Sequence, residues 1–164
     1  MSTEKRKVLF ICWGNICRSP IAEAVFLHRA KERGVLDNVM VDSAGILDYH
    51  AGEPPYKLAL QMLEKHGVTN YEHKARQVTP ADFQEFELIL ACDEDNIRDL
   101  AKVQPKEGAT AQVQLLGQYD PQGELVIEDP YYKKKREEAF NRVFDQCARC
   151  ADGLLDHLFP QQQK

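Results

Sequence analysis

Cys12 and Arg18 stand six positions apart in the stretch Cys12-Trp-Gly-Asn-Ile-Cys-Arg18-Ser19, between an apolar run and a Ser-Pro helix start. That arrangement suits a phosphate monoester. Gly14 and Asn15 tolerate the positive-φ conformations that turn successive backbone N–H groups inward as an anion nest. A helix beginning at the loop's end adds unpaired N–H groups and the positive end of its dipole. Arg18 carries a planar fork that meets two phosphate oxygens at once, which a lysine cannot do. The same positive surroundings favour the thiolate of Cys12, the nucleophilic form of this side chain. Ser19 is placed to donate a hydrogen bond to that thiolate and to stabilise it as a leaving group. Trp13, Ile16 and Cys17 complete the loop. Cys12 or Arg18 alone would read as an ordinary feature of a strand end. It is their combination with Gly-Asn and Ser-Pro that points to phosphate.

These residues need elements to position them. Val8-Leu-Phe-Ile-Cys12 is continuously apolar and reads as a buried strand ending at the loop. The next helix has Pro20 in its first turn, Ile21, Ala22, Val25, Phe26 and Ala30 on one face, and Gly34 as its stop. Val39 to Val41 reads as a second strand, turning at Ser43-Ala-Gly45, and Tyr56 to His66 as a helix closed by Gly67. Glu87 to Cys92 makes a third strand with a helix after it through about Lys102, and Gln112 to Leu116 a fourth strand. A long loop containing Asp129-Pro130 leads to a last helix. There Phe140, Val143, Cys147, Ala151, Leu154 and Leu158 advance in steps of three and four. The alternation predicts an α/β fold, a parallel sheet covered by helices on both faces with right-handed crossovers. Ligands of such folds sit at the carboxyl ends of the strands, so Cys12, Ser43, Cys92 and the loop after Leu116 are expected at one edge.

The 164 residues are expected to form one domain, residues 1–164, with its own core. A net charge of −5 argues against a nucleic-acid binder, which needs a basic footprint. The six residues Val8 to Trp13 are too short a run for a membrane span or a signal-peptide core. A cytoplasmic protein without stable membrane association is therefore expected. The five cysteines then read as reduced thiols. Cys147 and Cys150 lie on a helix stripe and read as packing residues rather than metal ligands. The polar tail Gln161 to Lys164 reads as frayed.

The stretch Cys12-Trp-Gly-Asn-Ile-Cys-Arg-Ser-Pro-Ile-Ala-Glu-Ala24 closely resembles the signature of the low-molecular-weight protein tyrosine phosphatases. The resemblance continues through Asp42-Ser-Ala-Gly45, His66-Gly67, His73-Lys-Ala-Arg-Gln77, Cys92-Asp-Glu-Asp-Asn96 and Ile127-Glu-Asp-Pro-Tyr-Tyr132, covering about Lys7 to Leu158. It implies a three-layer, flavodoxin-like fold with a four-stranded parallel sheet. It also implies hydrolysis of phosphotyrosine through a phosphocysteine at Cys12, with no metal and no cofactor. Asp129 is the implied general acid, and afterwards the base that activates water. Without the resemblance, the turn at Asp120-Pro121 would be an equal candidate. Tyr131 and Tyr132, with Trp13 and Tyr49 opposite, are the implied pocket walls, and Trp13 offers a face to a substrate ring. Asn15, Ser43 and His66 are the implied network restraining the strained loop, although a histidine ending a helix also suits capping. Asp93 and Asn96 read as the N-cap and first turn of the next helix and stay outside the site.

The expected partners are tyrosine-phosphorylated proteins or peptides, met by a monomer. Lys133-Lys-Lys-Arg136 reads as a solvated helix start or, lying near the pocket rim, as an attractor of acidic phosphopeptides. A phosphate cradle folds back on itself, so a Cys12–Cys17 disulfide protecting Cys12 from further oxidation is geometrically open. Resemblance also makes Tyr131 and Tyr132 candidates for phosphorylation. Three rival readings are open to the same residues. An arsenate reductase of the same fold relays electrons through two further cysteines, and here Cys92 stands alone in the relevant region. An arginine phosphatase of the fold tends to carry threonine in place of Ile16. A catalytically silent phosphotyrosine-binding module has no need of Cys12, Arg18 and Asp129 together.

Overall fold

The first apolar run forms strand β1 (Arg6–Cys12), buried from Val8 onward. This computed structural model describes residues 4–160, so the tail Gln161 to Lys164 lies outside the described residues. β1 sits in a four-stranded parallel sheet of order β2-β1-β3-β4, with β2 (Val39–Gly45), β3 (Leu88–Ala91) and β4 (Gln112–Leu115). Alternate side chains leave a strand on opposite faces. Val8 and Phe10 therefore join Leu88 and Leu90 in one apolar layer, while Leu9 and Ile11 join Ile89 and Ala91 in the other. The first layer is covered by α1 (Arg18–Glu32), α2 (Lys57–Lys65) and α5 (Arg136–Leu158). The second is covered by α3 (Asp82–Glu85) and α4 (Glu94–Val103). This is the three-layer α/β architecture with helices on both faces that the alternation predicts.

Local chemistry sets the element ends. Arg29 and Lys31 in the last turn of α1 face the negative end of its dipole. Asp93 caps α4 by accepting the Asn96 N–H at 2.8 Å, and Glu94 and Asp95 follow in the first turn. Phe140, Val143, Cys147, Cys150, Ala151 and Leu154 on α5 are buried, and shortening Phe140 to alanine would cost about 3–5 kcal/mol.

β2 extends past the short strand read from its apolar residues. Ser43-Ala-Gly45 is no turn but continues the strand, pairing in register with Phe10 to Cys12 of β1. Backbone pairing to a central strand outweighs the polar character of Asp42 and Ser43. The chain passes from β1 to β2 on one side and crosses to β3 on the other. The crevice of this fold therefore opens at the carboxyl ends of β1 and β3.

Candidate active site

β1 delivers Cys12 to that crevice, and the chain from Cys12 to Arg18 curls between the strand and α1. Its carbonyls are engaged by surrounding segments. Cys12 and Trp13 accept the N–H groups of Ile46 and Leu47, both at 3.1 Å, and Ile16 accepts that of Tyr56 at 2.8 Å. Among the described residues, no backbone N–H from Trp13 to Cys17 finds a protein acceptor. A run of successive unpaired N–H groups leading into a helix start suits an anion nest.

Only Asn15 in this loop takes a positive φ, at 58°. Gly14, expected to share that conformation, does not. Its lack of a side chain serves clearance instead: a Cβ there would lie 3.1 Å from Cδ2 of His50. Gly45 meets the same constraint from β2, where a Cβ would come within 3.0 Å of the Gly14 and Trp13 backbone.

Asn15 is fully buried, and its amide uses every bonding position it has. Nδ2 donates to Ser19 Oγ at 2.8 Å and to Ser43 Oγ at 3.0 Å. Oδ1 accepts from His73 Nε2 at 2.8 Å and from the Arg76 N–H at 3.0 Å. These bonds offset the cost, about 1–2 kcal/mol, of a left-handed conformation. They also have a direction. Ser19 Oγ accepts from Asn15, so its own O–H is left for Cys12 Sγ, 3.0 Å away. Ser43 likewise accepts from Asn15 and donates to Glu23 Oε1 at 2.7 Å. An amide oxygen only accepts, so His73 carries its proton on Nε2. Glu23 also accepts the Tyr71 hydroxyl at 2.7 Å. Burial pushes its carboxyl up to about 7, against the opposing pull of those two hydroxyls.

His66 is a correction. It is exposed at the end of α2, where it bonds Asn141 at 3.2 Å and stacks on Phe144 with ring centroids 3.9 Å apart. That helix end faces α5, away from the loop. The supporting histidine is His73, carried by a segment that runs beside β2 and is tied to it by the Gly45–Gln77 bridge.

Arg18 is 2% exposed. Nη1 donates to Asp93 Oδ2 at 2.6 Å and to the Ile127 carbonyl at 2.8 Å, while Nη2 lies 3.8 Å from Asp129 Oδ2. Burial works against its charge, but the neighbouring Cys92, Cys12 and Asp93 more than offset this and raise its pKa. Asp93, read only as a helix cap, thus does two things: one oxygen caps α4 and the other holds Arg18. Its place just past the carboxyl end of β3, on the edge where ligands of such folds sit, was the signal available in the sequence.

Asp129 closes the opposite side. Its Oδ1 accepts the Tyr131 N–H at 3.1 Å and caps the short turn Pro130–Tyr132. The rival Asp120 is gripped by Arg149 at 2.9 and 3.0 Å, and that guanidinium holds its carboxyl below the usual range. Asp120 is structural.

Cys12, Arg18 and Asp129 line one pocket of about 340 Å³ together with Trp13, Gly14, Ile16, Cys17, Tyr49, Tyr131 and Tyr132. Leu47 and His50 line it too, unanticipated by the sequence reading. Tyr131 packs edge-on against Tyr56 and Tyr132, with centroids at 5.2 and 5.1 Å, and the Arg136 guanidinium lies 5.4 Å from its ring. Burial, with Cys12 and Asp129 nearby, raises the pKa of Cys17. Cys92, Cys147 and Cys150 are buried.

Residues 7–164 match the family model described as low molecular weight phosphotyrosine protein phosphatase. A curated relative of that name from Sus scrofa is 46% identical over 154 residues, 93% of this chain and 96% of its own. The crystal structure of Primo-1 superposes with a TM-score of 0.85 at 39% identity, covering 92% of this chain and 97% of that one. The structure of DARP, a Drosophila arginine phosphatase, gives a TM-score of 0.85 at 35% identity, with 93% and 97% covered.

Proposed function

Because this chain belongs to the low molecular weight phosphotyrosine protein phosphatases, we propose that it hydrolyses phosphotyrosine by two displacements at Cys12. In the first, the Cys12 thiolate forms an S–P bond while the P–O bond to the phenol breaks. Asp129 gives its proton to the departing phenolate. In the second, water attacks phosphorus and passes its proton to the Asp129 carboxylate. The S–P bond breaks, returning inorganic phosphate and the thiolate. The loop N–H groups and the free edge of Arg18 hold the phosphoryl oxygens throughout. Asn15, Ser43 and His73 keep the loop in shape, and the Ser19 O–H steadies the sulfur both as attacker and as leaving group.

The carrying observation is one of placement. Cys12, with its Ser19 donor at 3.0 Å, sits in a loop of unpaired N–H groups, and Asp129 stands 3.8 Å from Arg18 across the same pocket. Rapid-quench trapping tests it. A labelled phosphotyrosine peptide should leave phosphate on Cys12 of the wild type and none on Cys12→Ser. Turnover retained by Cys12→Ser would sink the assignment.

The same reading takes residues 1–164 as one domain. It acts as a cytoplasmic monomer on tyrosine-phosphorylated proteins, without nucleic acid, metal or cofactor. The single sheet shared by both apolar layers and the net charge of −5 support it. Among the described residues no helix is long and apolar enough to cross a membrane. Phosphoarginine belongs in the same assay because of the DARP likeness. Apolar Ile16 gives a guanidinium no polar partner, so the tyrosine ester is the expected substrate. An arsenate relay would need two further thiols at the pocket, and Cys92, Cys147 and Cys150 do not line it.

A redox role follows for Cys17. Peroxide would convert the Cys12 thiolate to a sulfenic acid, which condenses with the Cys17 thiol to a disulfide and water. If Cys17→Ser recovered from peroxide as fully as wild type on adding thiol, that role would be lost.

A further inference from the structure

The segment from Glu128 to Lys135 separates two concavities. Asp129, Tyr131 and Tyr132 face the catalytic pocket, while Glu128, Pro130 and Lys133 to Lys135 line a groove of about 350 Å³ closed by α5. The groove carries the cations Lys133, Lys134, Lys135 and Arg142 against the carboxylates Glu128 and Glu138, on a chain whose net charge is −5.

These cations are not equivalent. Lys133 pairs with Glu128 at 3.0 Å and Arg142 with Glu124 at 2.8 Å. Arg136 is turned to the pocket wall, over Tyr131 and 3.3 Å from the Tyr56 hydroxyl. Among the described residues, Lys134 and Lys135 have no ion-pair partner, and both are exposed. Helix stability does not account for them, because cations before a helix N-terminus oppose its dipole. Glu137 and Glu138 already meet that need.

We propose that Lys134 and Lys135 form a subsite for acidic side chains flanking the phosphotyrosine, so that the preferred substrates are tyrosine-phosphorylated acidic segments. This rests on the phosphatase reading above and deepens it. The two lysines follow the wall residue Tyr132 by two and three positions, at most about 7 and 11 Å of chain. An extended peptide leaving the pocket covers that span in about two or three residues.

Three substrates at low ionic strength test the subsite. They are a phosphotyrosine peptide with Glu and Asp two to four residues to either side, the same peptide with Gln and Asn there, and p-nitrophenyl phosphate. Wild type should favour the acidic peptide in kcat/KM by roughly 2- to 10-fold, as two exposed ion pairs allow. Salt should erase the preference as the screening length falls from about 10 Å at 0.1 M to about 3 Å at 1 M. Lys134→Gln/Lys135→Gln should lose the preference with p-nitrophenyl phosphate turnover unchanged.

A wild type indifferent to the flanking acids, a preference surviving in the double variant, or an equal loss on all three substrates would each overturn the subsite. Binding to phosphatidylserine vesicles that needs both lysines, without any peptide preference, would overturn it in favour of a membrane surface. Peptide binding to Cys12→Ser reports the same preference without turnover, so failure of the subsite and failure of the catalytic assignment are read separately.

Discussion

Cys12, Asn15, Arg18 and Ser19 at the floor of the pocket are 0–3% exposed and bonded to partners from several segments, whereas Trp13, Tyr49 and Tyr132 on its walls are 41%, 78% and 69% exposed. The difference follows from what each must do. In the proposed mechanism charge develops on the phosphoryl oxygens and the sulfur, so donors there act only if they are already aimed, with no reorganisation left to do. The walls need only cover an aromatic ring and exclude water. Edge contacts such as Tyr131 with Tyr132 suffice for that. Changes at the floor and in its support should therefore move kcat or stability, and changes at the walls should move KM.

The largest expected effect is at Asp129. Asp129→Asn should lower kcat on a phosphotyrosine peptide by about 10^2- to 10^4-fold. The loss should be smaller on p-nitrophenyl phosphate, whose leaving group has less need of a proton. Equal losses on both substrates would remove Asp129 from proton transfer.

Glu23 supports the floor from beneath, and its effect appears in stability. An exposed carboxyl of the unfolded chain ionises near 4.5, and the folded one only near 7. The unfolded state therefore releases its proton first, and stability falls as pH rises from about 4.5 to 7 and then levels off. Wild type should lose up to roughly 3 kcal/mol relative to Glu23→Gln across that window. Urea midpoints of both proteins at several pH values measure it, and a difference independent of pH would contradict it.

The two histidines come next, since they sort support from surface. His73→Ala takes from Asn15 Oδ1 one of its two donors, which should cost about 1–3 kcal/mol and lower kcat with little change in KM. His66→Ala removes a stacked ring from the junction of α2 and α5 and should leave kcat within about twofold. Steady-state kinetics with thermal melts compares them directly, and the reverse order would restore His66 to the network. The smallest effect belongs to the wall. Tyr132→Ala should raise KM for a phosphotyrosine peptide by roughly 2- to 10-fold with kcat unchanged. A fall in kcat would instead make the wall part of the preorganised floor.

The contiguous parts of the site were legible in the sequence. A cysteine ending an apolar strand, a Gly-Asn loop and an arginine at a helix start are neighbours along the chain. Their backbone conformations and spacing follow from residue type and period, and so did the alternation that made a parallel sheet. Even there Gly14 departs from the positive φ its type suggests, because clearance from His50 leaves the same residue type as freedom of φ does. β2 runs past its apolar residues for a related reason. Pairing with β1, not the character of Asp42 and Ser43, carries the strand to Gly45.

Beyond the loop, local chemistry stopped being decisive. His66 and His73 are the same residue type a few positions apart, and both capping and bracing suit a histidine. Which one reaches Asn15 depends on the bridge from Gly45 to Gln77, which lays residues 73–77 alongside the loop. Asp93 was correctly a cap, yet its second oxygen holds Arg18, 75 residues away in the chain. The fold class and the loop from Cys12 to Arg18, where the proposed mechanism places its nucleophile, are readable from residue order, because hydrophobic period and backbone preference act over a few residues. Only the tertiary structure decided which polar side chains hold that cradle rigid. A hydrogen bond needs its partners within about 3 Å, and chain separation says nothing about that distance until the sheet has formed.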